Sequence, residues 1–211
     1  MIKKTRASII KKRGYPDWIK GDKLSLYISN YPETAQYLAS RIGNKDKIVC
    51  EFCCAVGISL IELAKNFKEA IGIDIDKKIL ESCEKNLIKA GLYNKTKLIL
   101  GDISKRTVLK KIKADIVIYD IPYWNIGLTK DTGLEKNNPN LKRLIKNTRE
   151  LITKDIIVCA PPRYGYEEAK KDLGECECES ILINDQHDRN YMYLGKLINK
   201  PGSTQVIVNR E

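Results

Sequence analysis

Near the middle of the chain a run of apolar residues ends in an acid, a proline and two flat rings: V-I-Y-D-I-P-Y-W, residues 117–124. Aromatic residues make up only 7% of the chain, so two in succession where a buried strand stops call for an explanation. An amine conjugated to a ring or a carbonyl is a poor nucleophile, because its lone pair is delocalised. Acceptors on its two hydrogens hold it with the lone pair free to attack, and such fixed orientation supplies much of the catalysis. Asp120 and Ile121 set a carboxylate and a carbonyl side by side, two acceptors that could hold such an amine, and Pro122 fixes the bend after them. Tyr123 offers a ring face for a base, a stacking interaction worth about 1–3 kcal/mol, and Trp124 is a second platform. Proton removal by Asp120 is a lesser role, since an ordinary aspartate is a weak base near neutral pH. The bland alternative is a strand end with a turn acid and packing aromatics.

Upstream, E-F-C-C-A-V-G-I-S, residues 51–59, closes an earlier apolar run. Gly57 permits a tight turn and the approach of a ligand, and Glu51, Cys54 and Gly57 are the candidate contacts there. The stretch lacks a full G-x-G-x-x-G, and no Gly-Lys-Ser/Thr phosphate loop is present, so a pyrophosphate cradle is not expected. The next apolar run ends in I-G-I-D-I-D. Asp74, 23 residues after Glu51, stands where an acid accepts both ribose hydroxyls of a nucleoside, while Asp76 suits a helix cap. Asp102, in G-D-I, is placed to accept the amino group of adenine or to cap. A nucleoside pocket without a phosphate cradle points to S-adenosylmethionine.

These residues need strand ends to carry them. From Lys47 onward apolar runs alternate with helical patterns, the signature of parallel strands joined by crossover helices. Strands are predicted at K-I-V-C-E-F-C-C, A-I-G-I-D-I, T-K-L-I-L, A-D-I-V-I-Y-D and D-I-I-V-C-A, and helices near 59–66, 77–90, 104–111 and 140–151. C-E-C-E-S-I-L-I-N, a turn over 185–190 and Y-M-Y-L-G-K-L-I then read as a hairpin. The fold class is α/β, and a parallel sheet closed in this way resembles the Rossmann-like S-adenosylmethionine methyltransferase fold. Its mostly parallel seven-stranded sheet closes on a C-terminal antiparallel hairpin. Residues 1–46 are expected to form a basic N-terminal arm and helical cap, with a helix over 32–42 opened by Pro32, and 47–211 the methyltransferase domain.

Lysine and arginine outnumber aspartate and glutamate by 38 to 27, a formal charge of +11 that favours polyanionic partners, nucleic acid first. Lys3, Lys4, Arg6, Lys11, Lys12 and Arg13 of the arm would hold phosphate. No run reaches membrane-spanning length and no secretory signal is visible, so the expectation is an intracellular protein, cytoplasmic, or nuclear in a eukaryote. Five of the seven cysteines fall in apolar patterns as small hydrophobes. The C-x-x-C at Cys50 and Cys53 points its thiols to opposite faces of a strand and is badly disposed for one metal, while the C-x-C at Cys176 and Cys178 shares a face; no metal site is expected. His187, the lone histidine, lies in a polar turn.

The run from 18 to 198 resembles the catalytic domain of the trimethylguanosine synthase family, RNA methyltransferases that modify the guanine N2 amine with S-adenosylmethionine. G-D-K-L-S-L-Y-I-S-N-Y-P-E is similar to the family's G-x-K-L-D-x-x-x-x-x-x-V-T-P-E, and E-F-C-C-A-V-G-I to its D-x-F-C-G-V-G-G. I-D-I-D is present unchanged, and D-I-P-Y resembles S-P-P-W and, more widely, the [D/N/S]-P-P-[Y/F/W] signature of methyltransferases that act on exocyclic amines of bases or planar amide nitrogens, which implies the Asp120 side chain and the Ile121 carbonyl as the amine's acceptors. Ala55 and Ile58 replace two loop glycines, Asp120 the serine, and Tyr123 the tryptophan that stacks on the cap base. With Trp18 and Trp124 as its only tryptophans, the chain departs from the pair that sandwiches a 7-methylguanine, which weighs against a methylated cap as substrate.

The resemblance implies transfer of a methyl group to guanosine N2 in RNA; Arg163 and Tyr164, which follow A-P-P after the fifth predicted strand, are the candidates to line the RNA entrance. Two alternatives stand beside it: the same mechanism on adenine N6, cytosine N4 or a protein glutamine, and a non-catalytic RNA-binding homologue.

Overall fold

Apolar runs and helical patterns alternate in the folded chain in the order the sequence predicts, with additions at both ends. The computed structural model describes residues 5–121 and 140–210. They fall in two compact units, Met1–Asp102 and Ile103–Glu211.

In the first unit, the basic start folds as helix α1 (Arg6–Arg13). The Thr5 side chain caps it by accepting from Ser8 N–H, and Gly14 closes it in the left-handed conformation. A helix this short does not stand alone. Burial of Ile9 and Ile10 holds it, each contributing about 1.5–3 kcal/mol. Arg6 donates to the Ile19 carbonyl at 2.6 Å, and Arg13 to that of Tyr27, its guanidinium 4.2 Å from the centre of the Tyr31 ring. Both arginines thus bond the chain's own groups. Helices α2 (Lys23–Ile28), capped by Asp22, and α3 (Pro32–Ile42) complete this segment.

The first unit continues with β1 (Ile48–Phe52), α4 (Ile58–Asn66), β2 (Glu69–Asp74), α5 (Lys77–Lys89) and β3 (Thr96–Leu100). The strands are parallel, in the order β3-β2-β1. Helix α4 is buried around most of its surface and packs so closely on β2 that a Cβ at Gly72 would lie 2.7 Å from Leu60. On α5 the buried positions Leu80, Cys83, Asn86 and Leu87 form one stripe.

The second unit holds α6 (Arg106–Leu109), β4 (Ile116–Tyr119), α7 (Leu141–Leu151), β5 (Ile156–Ala160), α8 (Tyr166–Leu173), β6 (Glu177–Ile183), β7 (Gln186–Leu194) and β8 (Gly202–Val208). The strand order is β4-β5-β7-β6-β8. Strands β4 and β5 run parallel, β7 is antiparallel to both β5 and β6, and β8 runs parallel to β6. The described residues therefore hold eight strands where seven were expected. The extra one, β8, is mostly exposed, and its polar S-T-Q start hides it from a hydrophobicity pattern.

The hairpin turn is also shorter than expected. Asn184 and Asp185 both carry positive φ, 47° and 62°, as a two-residue turn matched to strand twist requires, so β7 begins at Gln186. Within the hairpin Ile181 pairs with Arg189 and Leu182 with His187, leaving Asp188 as the extra residue of a β-bulge. No helix among the described residues is long and apolar enough to cross a membrane.

Candidate active site

In the first unit the loop from β1 into α4 is wound tightly: Cys53, Ala55 and Gly57 all have positive φ, at 63°, 47° and 85°. The Gly57 N–H donates to the Cys54 carbonyl at 2.9 Å. Only Gly57 among the three adopts this conformation without strain. The room its missing side chain leaves is not a ligand's, because a Cβ there would sit 2.6 Å from Cys83 Sγ on α5. The Cys54 thiol is buried; its hydrogen bond with Cys83 and its burial raise its pKa well above the usual range. The Cys54 N–H donates to the Ile73 carbonyl at 3.1 Å, so Cys54 ties the loop to β2. Glu51 is buried within β1.

Asp74 ends β2 and fastens this loop. Its Oδ2 accepts from Ala55 N–H at 3.2 Å and its Oδ1 from Asp76 N–H at 3.0 Å. Burial raises the Asp74 pKa above its ordinary 3.8, partly offset by those backbone bonds. A carboxylate offers about four lone-pair sites, so these bonds leave part of its acceptor capacity for hydroxyl donors. Asp76 caps α5 by accepting from Lys78 and Ile79. Beside Asp74 stand two exposed apolar residues, Ile75 at 69%, next in the chain, and Leu100 at 56%, the residue paired with Asp74 across the ladder. Asp102 follows β3 and is half-buried. An acid with spare acceptor sites, a second acid and uncovered apolar surface fit an adenosine moiety.

One buried side chain holds this region in register. Asn86 of α5 donates to the carbonyls of Lys20 and Val56, both at 2.9 Å, and accepts from Lys20 N–H at 2.7 Å. It clasps the N-terminal segment to the loop.

In the second unit β4 delivers Asp120 half-buried and Ile121 buried. The Tyr119 hydroxyl and the Thr148 hydroxyl on α7 lie 2.6 Å apart, tying the strand down just before Asp120. Arg189 Nη1 of β7 lies 3.7 Å from Asp120 Oδ1. Pro122, Tyr123 and Trp124 lie outside the described residues. Of the proposed entrance pair, Arg163 is exposed. Tyr164 is buried at 1% exposure, and its hydroxyl donates to Asp172 at 2.9 Å. The expectation that Tyr164 faces RNA is therefore corrected: its ring packs under α8.

Asn190 sets that loop by donating to the Pro162 and Tyr164 carbonyls, while its Oδ1 contacts His187 at 2.7 Å. Along α7 a groove of about 610 Å³ is lined by Lys142, Arg143, Lys146, Arg149 and Lys154, with Glu150 and Asp172. Glu150 is paired with Arg106.

All seven cysteines are free thiols, with burial pushing Cys178 up to about 11. Among the described residues no group of three His, Cys, Asp or Glu could hold a metal ion.

The profile of the family described as RNA cap guanine-N2 methyltransferase matches residues 46–177. The chain belongs to that family. The family is one of S-adenosylmethionine-dependent methyltransferases, and the match covers Glu51, Asp74, Asp102 and Asp120.

Solved structures agree on the fold. A proposed methyltransferase from Porphyromonas gingivalis W83 superposes with a TM-score of 0.68 at 15% identity, over 84% of this chain and 43% of that one. The present chain thus spans less than half the length of that protein. A proposed RNA methyltransferase from Pyrococcus horikoshii gives 0.52 at 15% identity over 93% and 98%. M. capricolum TrmK, solved with its natural cofactor product S-adenosyl-homocysteine, gives 0.52 at 20% identity over 80% and 69%.

Three features of the site were absent from the sequence reading. Ile75 was passed over between two acids, although an apolar residue in a polar turn was a signal. Asn86 had none, since an asparagine in a helix reads as surface. Arg189 was hidden inside an apparent polar turn.

Proposed function

We propose that this chain methylates the exocyclic N2 amine of guanosine in RNA, with Asp120 and the Ile121 carbonyl as acceptors for the amine's two hydrogens. The observation that carries this reading is the half-buried, ion-paired carboxylate of Asp120 at the end of β4, in a chain of a guanine-N2 methyltransferase family. When bound, S-adenosylmethionine supplies an electrophilic methyl group on a sulfonium. Asp74 accepts the ribose hydroxyls, Asp102 accepts from the adenine amine, and Ile75 with Leu100 covers the adenine face. Asp120 acts chiefly by orientation. Alkylation makes the amine acidic, so a carboxylate of ordinary basicity suffices to take its proton afterwards. Pro122, Tyr123 and Trp124 lie outside the described residues, and their parts are proposed from the sequence alone: a proline to fix a bend and two rings on which a base can stack.

RNA as the partner is supported by the family description, by the net charge of +11 and by the groove along α7, where five cations face two carboxylates. Uncapped guanosine is favoured over a methylated cap, because Trp18 and Trp124 are the only tryptophans. A second reading, transfer to adenine N6 or cytosine N4, is favoured by one observation: Asp120 stands where the family's motif has serine.

The roles separate experimentally with labelled S-adenosylmethionine and RNA. Asp120→Ala should lose RNA labelling while calorimetry shows the cofactor still bound, and Asp74→Ala should lose cofactor affinity first. Normal labelling of RNA by Asp120→Ala would remove Asp120 from the mechanism.

A further inference from the structure

Arg189 is the only buried lysine or arginine among the described residues, at 6% exposure. Burying a cation is costly unless it is paired, and two carboxylates answer this one. Its Nε donates to Asp188 Oδ2 at 2.7 Å, and its Nη1 lies 3.7 Å from Asp120 Oδ1. The first contact is a product of the β-bulge. Adjacent residues of a regular strand point to opposite faces, but Asp188 is the unpaired extra residue, and the bulge re-aims it toward its neighbour.

The second contact follows from the sheet register. Tyr119 pairs with Val158 and Cys159 with Tyr191, so Asp120, the next residue after Tyr119, falls in the row of Cys159 and Tyr191. Arg189, two positions from Tyr191, shares that face. The Tyr191 hydroxyl is buried there without a hydrogen-bond partner among the described residues. The row is therefore shielded from solvent, and the Arg189 charge acts on Asp120 at short range with little screening. The Asp120 side chain keeps 20% of its exposure, so one edge is held and part of it stays open.

We propose that Arg189 is a positioning residue for methyl transfer: its guanidinium holds the Oδ1 edge of Asp120, so that the other oxygen is presented to the amine. This rests on the reading of Asp120 as the amine's acceptor. It also gives the bulged hairpin a task, because Arg189 and its bulge lie beyond the residues the family profile matches. An aspartate in place of the motif's serine needs a countercharge that serine does not, and Arg189 provides one.

The test uses the full chain, the RNA pool that the wild type labels, and single-turnover rates beside S-adenosylmethionine calorimetry. Arg189→Gln should lower the methyl-transfer rate at least tenfold with the cofactor Kd unchanged. Arg189→Lys, which keeps charge without the planar fork, should recover a large part of that loss. Combined with Asp120→Ala, Arg189→Gln should add no further loss. A rate for Arg189→Gln within twofold of wild type, or losses that multiply in the double variant, would overturn the proposal.

Should Arg189→Gln fail to fold, Arg189→Lys decides the matter in two backgrounds. It should slow transfer severalfold in the wild type and not in Asp120→Asn, and equal slowing in both would overturn the proposal. Normal turnover by Asp120→Ala would instead sink the reading on which it rests. Asp120→Ala inactive with Arg189→Gln normal would sink this proposal alone.

Discussion

Asp74 accepts from two backbone N–H groups, and burial raises its pKa above the ordinary 3.8. The two consequences have opposite signs. A folded-state pKa above the unfolded one means the folded chain binds the proton more tightly, so this group's contribution to stability declines as pH rises through the raised value. Cofactor affinity should move the other way, because the ribose needs an ionised acceptor. Titration of S-adenosylmethionine by calorimetry between pH 7 and 4 should show affinity falling with a midpoint above 3.8, and a loss confined to lower pH would contradict the assignment.

Ala55 poses a separate residue-scale question, since its φ of 47° strains a residue with a Cβ. Ala55→Gly should raise the unfolding free energy by about 0.5–1 kcal/mol, the strain removed exceeding the added chain entropy. Urea unfolding reads the sign, and a loss of stability would show that the loop carries no such strain.

At the scale of elements, what was legible followed from strong periodicity. The helix over 32–42, the strands that became β1 to β5 and the helices between them have apolar spacing that only one structure satisfies. Where pattern was diluted, legibility failed. The Ile9 and Ile10 pair anchoring α1 is surrounded by lysine and arginine, and β8 exposes most of its length. Arg189 was illegible for a different reason: N-D-Q-H-D-R-N has turn composition throughout, yet only Asn184 and Asp185 turn, and the bulge that aims Arg189 is a feature of register. Asn86 likewise acts between elements. Asn86→Ala would leave the Lys20 and Val56 groups unsatisfied, at a cost of about 2–3 kcal/mol, and should weaken cofactor binding as the β1–α4 loop loses its clasp. Thermal unfolding and calorimetry test both, and unchanged cofactor affinity in the destabilised variant would detach the clasp from the site.

For the whole molecule, a formal charge of +11 identifies a partner class and nothing finer, and the groove along α7 gives that charge a place. If RNA phosphates lie there, replacing Lys142, Lys146 and Lys154 by alanine should weaken binding of a single-stranded RNA without regard to sequence. The slope of log affinity against log salt should fall by about 2, roughly 0.7 per contact. An unchanged slope would move the RNA path elsewhere. The chemistry itself is read at the product. The protein incubated with labelled S-adenosylmethionine, total RNA of its source and matched capped and uncapped transcripts yields nucleosides that mass spectrometry identifies. N2-methylguanosine from uncapped RNA is the expected product; label on adenine N6, on cytosine N4 or only on 7-methylguanosine caps would contradict the assignment of an uncapped guanosine amine as the acceptor.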